Sequence, residues 1–405
     1  MGWTIRAATA DDVPALLRAV WGAFGNRPDD ALIETATGFV EADRALVVED
    51  DGRIVAGGAN VSLELTVPGP ATVPAAGVTQ VGVLPTHRRQ GILSALMTRL
   101  ADDARRRGEP VAALLASEST IYRRFGYGVG VWNTMVEIER TRAVLRRPPA
   151  LTGRTRMLDD EEMAAALPPF FDRYRRGQPG EVSRTPGWWA RHLRDHETWR
   201  GGGSKRFAAV WEDGAGCAEG YVSYRIHPSW EGGLPGHALA VENLIALGPE
   251  VRAALWQYCF GVDLVAVVRA GYLALDDPLR WMLTEPRRLR TIAVNDFLWV
   301  RLLDVETALA ARAYAGDDRL TVEVVDGFDH AVAGRYRLAG GDCRRTDEAP
   351  DLTIDVADLA SAWLGGTRFA TLARAGLVVE HTAGAIVRAD GLFATATGPA
   401  SSTGF

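Results

Sequence analysis

The chain has 405 residues and a formal net charge of −6, with 47% hydrophobic and 24% charged residues. That balance excludes wholesale disorder, and an acidic surplus without a basic stripe argues against a nucleic-acid partner. At roughly 100–200 residues per domain, the length predicts two to four domains.

Residues 3–7 predict a strand. Thr9 and Asp12 are spaced as a capping box with Asp in place of Glu, opening a helix with Val13, Leu16, Leu17, Val20 and Phe24 on one face. Strands at 44–50 and 54–67 flank Asp51-Gly52, a two-residue hairpin signal. Residues 76–84 form another apolar strand, stopped by Pro85. A helix over 88–107 turns Ile92, Leu96, Leu100 and Ala104 inward and ends at Gly108. The strand predicted at 111–116 is parallel to 76–84 under a right-handed crossover. A short helix at 118–124 and a strand at 129–140 follow, and Arg146-Arg147-Pro148-Pro149 marks a linker.

The region 150–293 opens with a helix over 161–174 and contains Trp188, Trp189, Trp199 and a Gly201-Gly202-Gly203 loop. Strands near 206–212 and 219–226, a helix at 251–261 and a strand at 264–268 repeat the order of the first region without its motif residues. The remainder, 294–405, starts with Asp296-Phe297-Leu298-Trp299-Val300-Arg301-Leu302. Strands around 320–325 and 335–338 and helices near 355–364 and 368–376 complete it.

Chemistry concentrates at residues 78–93, where a strand runs into a loop that opens a helix. The unpaired amides and dipole of a helix start favour phosphate. Arg88 and Arg89 add charge, and Gly91 lets the backbone approach closely. Composition alone makes Arg-Arg-x-Gly a solvated helix start; the strand–Pro–helix context favours a pyrophosphate cradle. His87 lies beside it, although the arginines suit a diphosphate better. Arg88-Arg89-Gln90-Gly91-Ile92-Leu93 resembles the R/Q-x-x-G-x-G/A motif of the GNAT acyltransferase superfamily, with Leu93 where the broad family has Gly or Ala.

Three further segments narrow the resemblance: Ala116-Ser117-Glu118, Ile121-Tyr122-x-Arg124-Phe125-Gly126-Tyr127-Gly128 and Leu298-Trp299-Val300-Arg301-Leu302-Leu303-Asp304-Val305. Together with the first motif they resemble the Eis (enhanced intracellular survival) branch of that superfamily, which tolerates Leu at the last motif position. The resemblance covers essentially the whole chain. It implies an α/β (α+β) architecture: a catalytic GNAT N-acetyltransferase domain at 1–145, a second GNAT-like domain at 150–293 lacking the coenzyme motif, and a sterol-carrier-protein-like domain at 294–405. It also implies acetyl-CoA as co-substrate, a primary-amine acceptor (aminoglycoside, polyamine or lysine-like) and a homohexamer.

The resemblance assigns coenzyme contacts to Val81, Gly82, Val83, Arg88, Arg89, Gln90, Gly91, Ile92, Leu93, Ser94, Ser117 and Glu118. In it Tyr122 is the proton donor to the leaving thiolate. The α-carboxylate of Phe405 is the proton acceptor, brought to the first domain by the C-terminal tail. A phenol with pKa near 10 suits a thiolate of similar basicity, and a carboxylate removed from water becomes a stronger base. Each residue also has a plain structural role open to it: packing for Tyr122, a helix cap for Ser117, a frayed end for residues 398–405.

Trp21, Phe24 and Gln80 are the expected acceptor-side residues. Positions that are acidic in mycobacterial members read Ala23 and Gly404 here, and Asp29, Asp30 and Glu34 follow nearby as a solvated acidic loop. No metal is expected, because only His192 and His196 stand four apart, as on an exposed helix face, and HExxH is absent. No apolar run reaches the roughly 18 residues of a membrane helix. The first six residues lack a signal-peptide or myristoylation pattern, and three cysteines without CxxC spacing form no disulfide framework. A cytoplasmic setting is therefore expected. A non-enzymatic reading, an acyl-CoA or lipid carrier, stands beside the transferase.

Overall fold

The structure is a computed structural model describing residues 2–150 and 152–405. The first unit comprises β1 (Thr4–Ala7), α1 (Val13–Ala23), α2 (Asp30–Thr37), β2 (Ala45–Asp50), β3 (Arg53–Thr66), β4 (Thr72–Val83), α3 (Ile92–Arg106), β5 (Val111–Leu115), α4 (Ser119–Tyr122) and β6 (Gly128–Glu139). Asp51 and Gly52 both take positive φ (48° and 72°), as a two-residue hairpin turn requires. Helix α3 buries Ile92, Leu96, Met97, Leu100, Ala101 and Ala104 on one face. It begins four residues later than its pattern suggests, because Arg89 and Gly91 adopt positive φ (62° and 81°) and hold the chain in a loop.

The second unit repeats this order: β7 (Gly153–Leu158), α5 (Asp160–Arg175), α6 (Pro186–Arg194), β8 (Phe207–Asp213), β9 (Ala218–His227), a small hairpin of β10 (Trp230–Glu231) and β11 (Leu234–Pro235), β12 (His237–Ala246), α7 (Pro249–Gly261), β13 (Val265–Ala274), α8 (Leu279–Met282) and β14 (Arg290–Leu302). The two units share one twelve-stranded sheet in the order β1-β2-β3-β4-β5-β14-β6-β13-β12-β9-β8-β7. Strand β14 is inserted between β5 and β6 and antiparallel to both. It runs straight through the 293/294 position read as a boundary, so the large sheet ends only at Leu302.

The last unit has α9 (Val305–Ala311), β15 (Leu320–Val325), β16 (Gly334–Ala339), β17 (Asp342–Arg345), β18 (Leu352–Asp355), α10 (Val356–Trp363), α11 (Phe369–Arg374), β19 (Val378–Glu380) and α12 (Ala385–Phe393). Its five-stranded sheet runs β17-β16-β15-β18-β19. Helix α10 packs on β6 and β14; at Gly128 a Cβ would overlap the Ala357 carbonyl, so only glycine permits this approach. Apolar side chains of all three units merge into one core, from Leu65 and Phe171 to Val300 and Trp363.

Buried charge also joins the units. Arg301 Nη2 on β14 donates to Asp326 Oδ2 at 2.9 Å, both side chains being 1% exposed, and Arg301 also donates to the Phe125 carbonyl. Asp326 Oδ1 accepts from the amides of Phe328 and Asp329. Removing Asp326 leaves the buried Arg301 with only the longer pair to Asp329 at 3.7 Å, so Asp326→Ala is expected to destabilise the protein by about 3 kcal/mol, read as a lower denaturant midpoint. Among the described residues no helix is long and apolar enough to cross a membrane.

Candidate active site

Strand β4 pairs with β5 only from Ala75 to Gly77. Past that point it carries a bulge: Gln80 has φ 51°, and the register with β3 shifts between Gly57 and Ala59. The two parallel strands then separate. The Leu84 amide donates back to Val55 O on β3 at 3.0 Å. Alternation along the strand aims the preceding Val83 amide into the gap, and Val81, at the bulge, lines it as well.

Helix α3 starts at the mouth of this gap. No side chain caps its N-terminus and its first turn holds no acid. Asp29, Asp159, Thr185, Asp304 and Asp355 cap α2, α5, α6, α9 and α10. Its first intrahelical bond comes from the Ala95 amide to Gly91 O, so the amides of Ile92, Leu93 and Ser94 face the loop unclaimed by a cap. Arg88 Nη2 reaches Ala23 O at 3.0 Å, while Arg89 is exposed. His87 is held between Thr86 and Asp50.

The resulting cavity, about 460 Å³, is lined by Val81, Gly82, Val83, Arg88, Arg89, Gly91, Ile92, Leu93, Ser94, Ser117, Glu118 and Tyr122. Of the twelve predicted coenzyme contacts only Gln90 falls outside it. The turn between Arg89 and Gly91 leaves Gln90 exposed. Ala23, Ile121 and Arg124 line it as well.

A second cavity of about 440 Å³ holds Trp21, Phe24 and Gln80, the three predicted acceptor residues, with Phe405. Trp21 Nε1 donates to Gln80 Oε1 at 3.2 Å. The two cavities share Phe24, Val81, Ser117 and Tyr122. Tyr122 ends α4 and is 7% exposed. Burial raises its phenol pKa above the usual 10, Ser117 pulls it down and the Glu118 charge raises it further. Tyr122 therefore keeps its proton at neutral pH.

The tail is tied down rather than frayed. Glu181, 1% exposed, accepts from Ser401 Oγ, Thr403 Oγ1 and both the amide and hydroxyl of Ser402, at 2.8–3.0 Å. Arg184 Nε donates to Thr403 Oγ1 at 3.0 Å, Trp188 Nε1 to Gly404 O at 2.6 Å and Asn133 Nδ2 to Ser401 O at 3.1 Å. These anchors come from both sheet-sharing units, so residues of the last unit reach the first unit's cavity.

The second unit has the corresponding gap beside β12, with a register shift between Val241 and Asn243. Ala400, Ser401 and Ser402 line it, leaving a cavity of about 60 Å³. The chain's own tail thus takes the space that in the first unit stays open.

Sequence reasoning missed Asn26, Arg27, Thr198 and Trp199 in the acceptor-side cavity. Thr198 and Trp199 come from a turn of the second unit, and no local pattern signals that approach. The acidic loop is committed elsewhere: Asp29 caps α2, Asp30 pairs with Arg18 at 2.6 Å and Glu34 is exposed. The histidine pair does not share a helix face. Helix α6 stops at Asp195, which has φ 50°; His192 stacks on Trp188 at 4.4 Å, and His196 accepts from the Thr198 amide. Burial and the neighbouring arginines hold His192 well below the usual histidine range. Among the described residues no group of three or more His, Cys, Asp or Glu could hold a metal.

A splayed parallel pair, an uncapped helix start with two arginines and a tyrosine closing the short helix after β5 are the arrangement expected of an acyl-CoA-dependent acyltransferase of the GNAT class. Family models described as acetyltransferase (GNAT) domain match residues 4–130 and 180–302, and one described as sterol carrier protein domain matches 305–402. A protein of Streptomyces avermitilis described as an uncharacterized N-acetyltransferase is 37% identical over 96% of this chain and 95% of its own. N-acetyltransferase Eis of Mycobacterium bovis is 32% identical over 97% of each chain. The crystal structure of Eis1 from Mycobacterium abscessus superposes with a TM-score of 0.88 at 36% identity, covering both chains fully. The chain belongs to the Eis family of N-acetyltransferases. It consists of two tandem GNAT domains followed by a sterol-carrier-protein-like domain, and its GNAT domains imply acetyl-CoA as co-substrate.

Proposed function

We propose that the enzyme moves an acetyl group from acetyl-CoA to a primary amine by direct attack in a ternary complex. The observation that carries this reading is that two cavities meet at Tyr122, with the phosphate-suited helix start in one and Phe405 in the other. The pyrophosphate takes the α3 amides and the side chains of Arg88 and Arg89. The thioester carbonyl accepts from the free amides of β4, which stabilise the oxyanion as it forms.

With Phe405 ending the chain, its carboxylate takes the proton of the incoming ammonium. The amine nitrogen then bonds to the acetyl carbon, the carbon–sulfur bond breaks and Tyr122 protonates the departing thiolate. Neither step needs a covalent enzyme intermediate. Initial rates of thiol release, measured over both substrate concentrations with the full chain, test this: intersecting double-reciprocal lines are expected. Parallel lines together with an acetylated enzyme by mass spectrometry would contradict direct attack.

A further inference from the structure

We propose that the acceptor is a small monoamine with an aromatic or apolar body and a carboxylate at its far end, not a polycation; this rests on the acetyl-transfer reading above. The cavity walls are the rings of Trp21, Phe24 and Trp199, with Leu32 and Pro28 beside them. Such walls gain from burying an apolar body and stack on an aromatic one.

Charge decides the rest. Among the described residues no Asp or Glu side chain lines this cavity; of the acids next to its lining in sequence, Asp29 caps α2, Glu118 lines the coenzyme-side cavity and Glu197 is exposed. On the proposed mechanism the negative group that meets the reacting amine is the Phe405 carboxylate, which suits one ammonium. A second or third ammonium leaving water would find no carboxylate among the described residues that line this cavity. Aromatic faces do attract cations, by about 0.5–2 kcal/mol. Against them stand Arg27 at the cavity wall and, behind the tail, Arg191, whose Nη2 lies 3.5 Å from Gly404 O. Burial lowers the Arg191 pKa to about 10, so it remains cationic at neutral pH.

Arg27 is exposed and, among the described residues, makes no ion pair within 4.0 Å or side-chain hydrogen bond. A free guanidinium on the wall of a cavity without carboxylates matches an anionic group on the ligand, which it can hold through two parallel bonds.

The test compares 4-(aminomethyl)benzoate, benzylamine and spermidine as acceptors for the full-length enzyme, by thiol release from acetyl-CoA. The expected kcat/KM is highest for the benzoate, by about tenfold or more over benzylamine, and lowest for spermidine. In Arg27→Ala the benzoate-to-benzylamine ratio falls toward one, and Arg27→Lys restores part of it. Preference for spermidine, or a ratio unchanged in Arg27→Ala, overturns the proposed acceptor class while leaving acetyl transfer intact. Thiol release with none of the amines overturns the transfer reading and this proposal with it.

Discussion

Tyr122→Phe is expected to lower kcat by about 10²–10³-fold while leaving the dissociation constant of acetyl-CoA within about twofold. The substitution removes one oxygen. The ring stays, and with it the edge contact to Tyr127 at 6.2 Å and the burial that fixes α4. What is lost is the proton for the leaving thiolate, a group needed only after attack has begun, so the effect falls on turnover and not on binding. Because burial holds the Tyr122 pKa above its ordinary value, the native enzyme should show no loss of rate from this group as pH rises through neutrality toward 10. The check is stopped-flow thiol release alongside calorimetric titration with coenzyme. A variant that turns over at the native rate removes Tyr122 from the chemistry.

Deleting Phe405 is the second large effect. The deletion keeps every anchor from Ser401 to Gly404, since Glu181, Arg184 and Asn133 all bind residues before it. It draws the terminal carboxylate back by roughly one residue, ~3.5 Å, and removes a ring from the cavity wall. Misplacement of a proton-transfer group by even ~1 Å can cost about a hundredfold, so kcat should fall by about 10²-fold or more. The melting temperature should change by no more than a few degrees, because Phe405 is only partly buried. Equal melting with lost turnover separates a positional effect from unfolding.

Much of the first unit was legible because its signals are local. Asp51-Gly52 dictates its own turn, and the apolar face of α3 needs only its own spacing. Helix α3 starts later than its apolar period suggests because a helical period does not report backbone handedness; Arg89 at positive φ costs energy that local propensity argues against. The exposure of Gln90 follows from the same turn. Strand β14 is legible as a strand, but its place between β5 and β6 depends on pairing across some 150–190 residues, which periodicity does not encode. The tail carries no local signal beyond the family resemblance: Ser401, Ser402 and Thr403 are small and polar, as in any frayed end, and only the distant buried carboxylate of Glu181 makes them a clamp. Trp199 likewise enters the acceptor cavity from another unit. The candidate site residues come from motif resemblance; residue chemistry alone favours a solvated helix start and a packed tyrosine.

Whether the carboxylate of Phe405 serves as the base for acetyl transfer in the first domain can be read by changing only its charge. A protein whose Phe405 carries a carboxamide, made by ligating a synthetic tail onto the remaining chain, keeps the ring, the length and every anchor. Single-turnover acetyl transfer should then fall at least a hundredfold with coenzyme affinity unchanged. Transfer at the native rate would contradict the account and return the base to the first domain or to water.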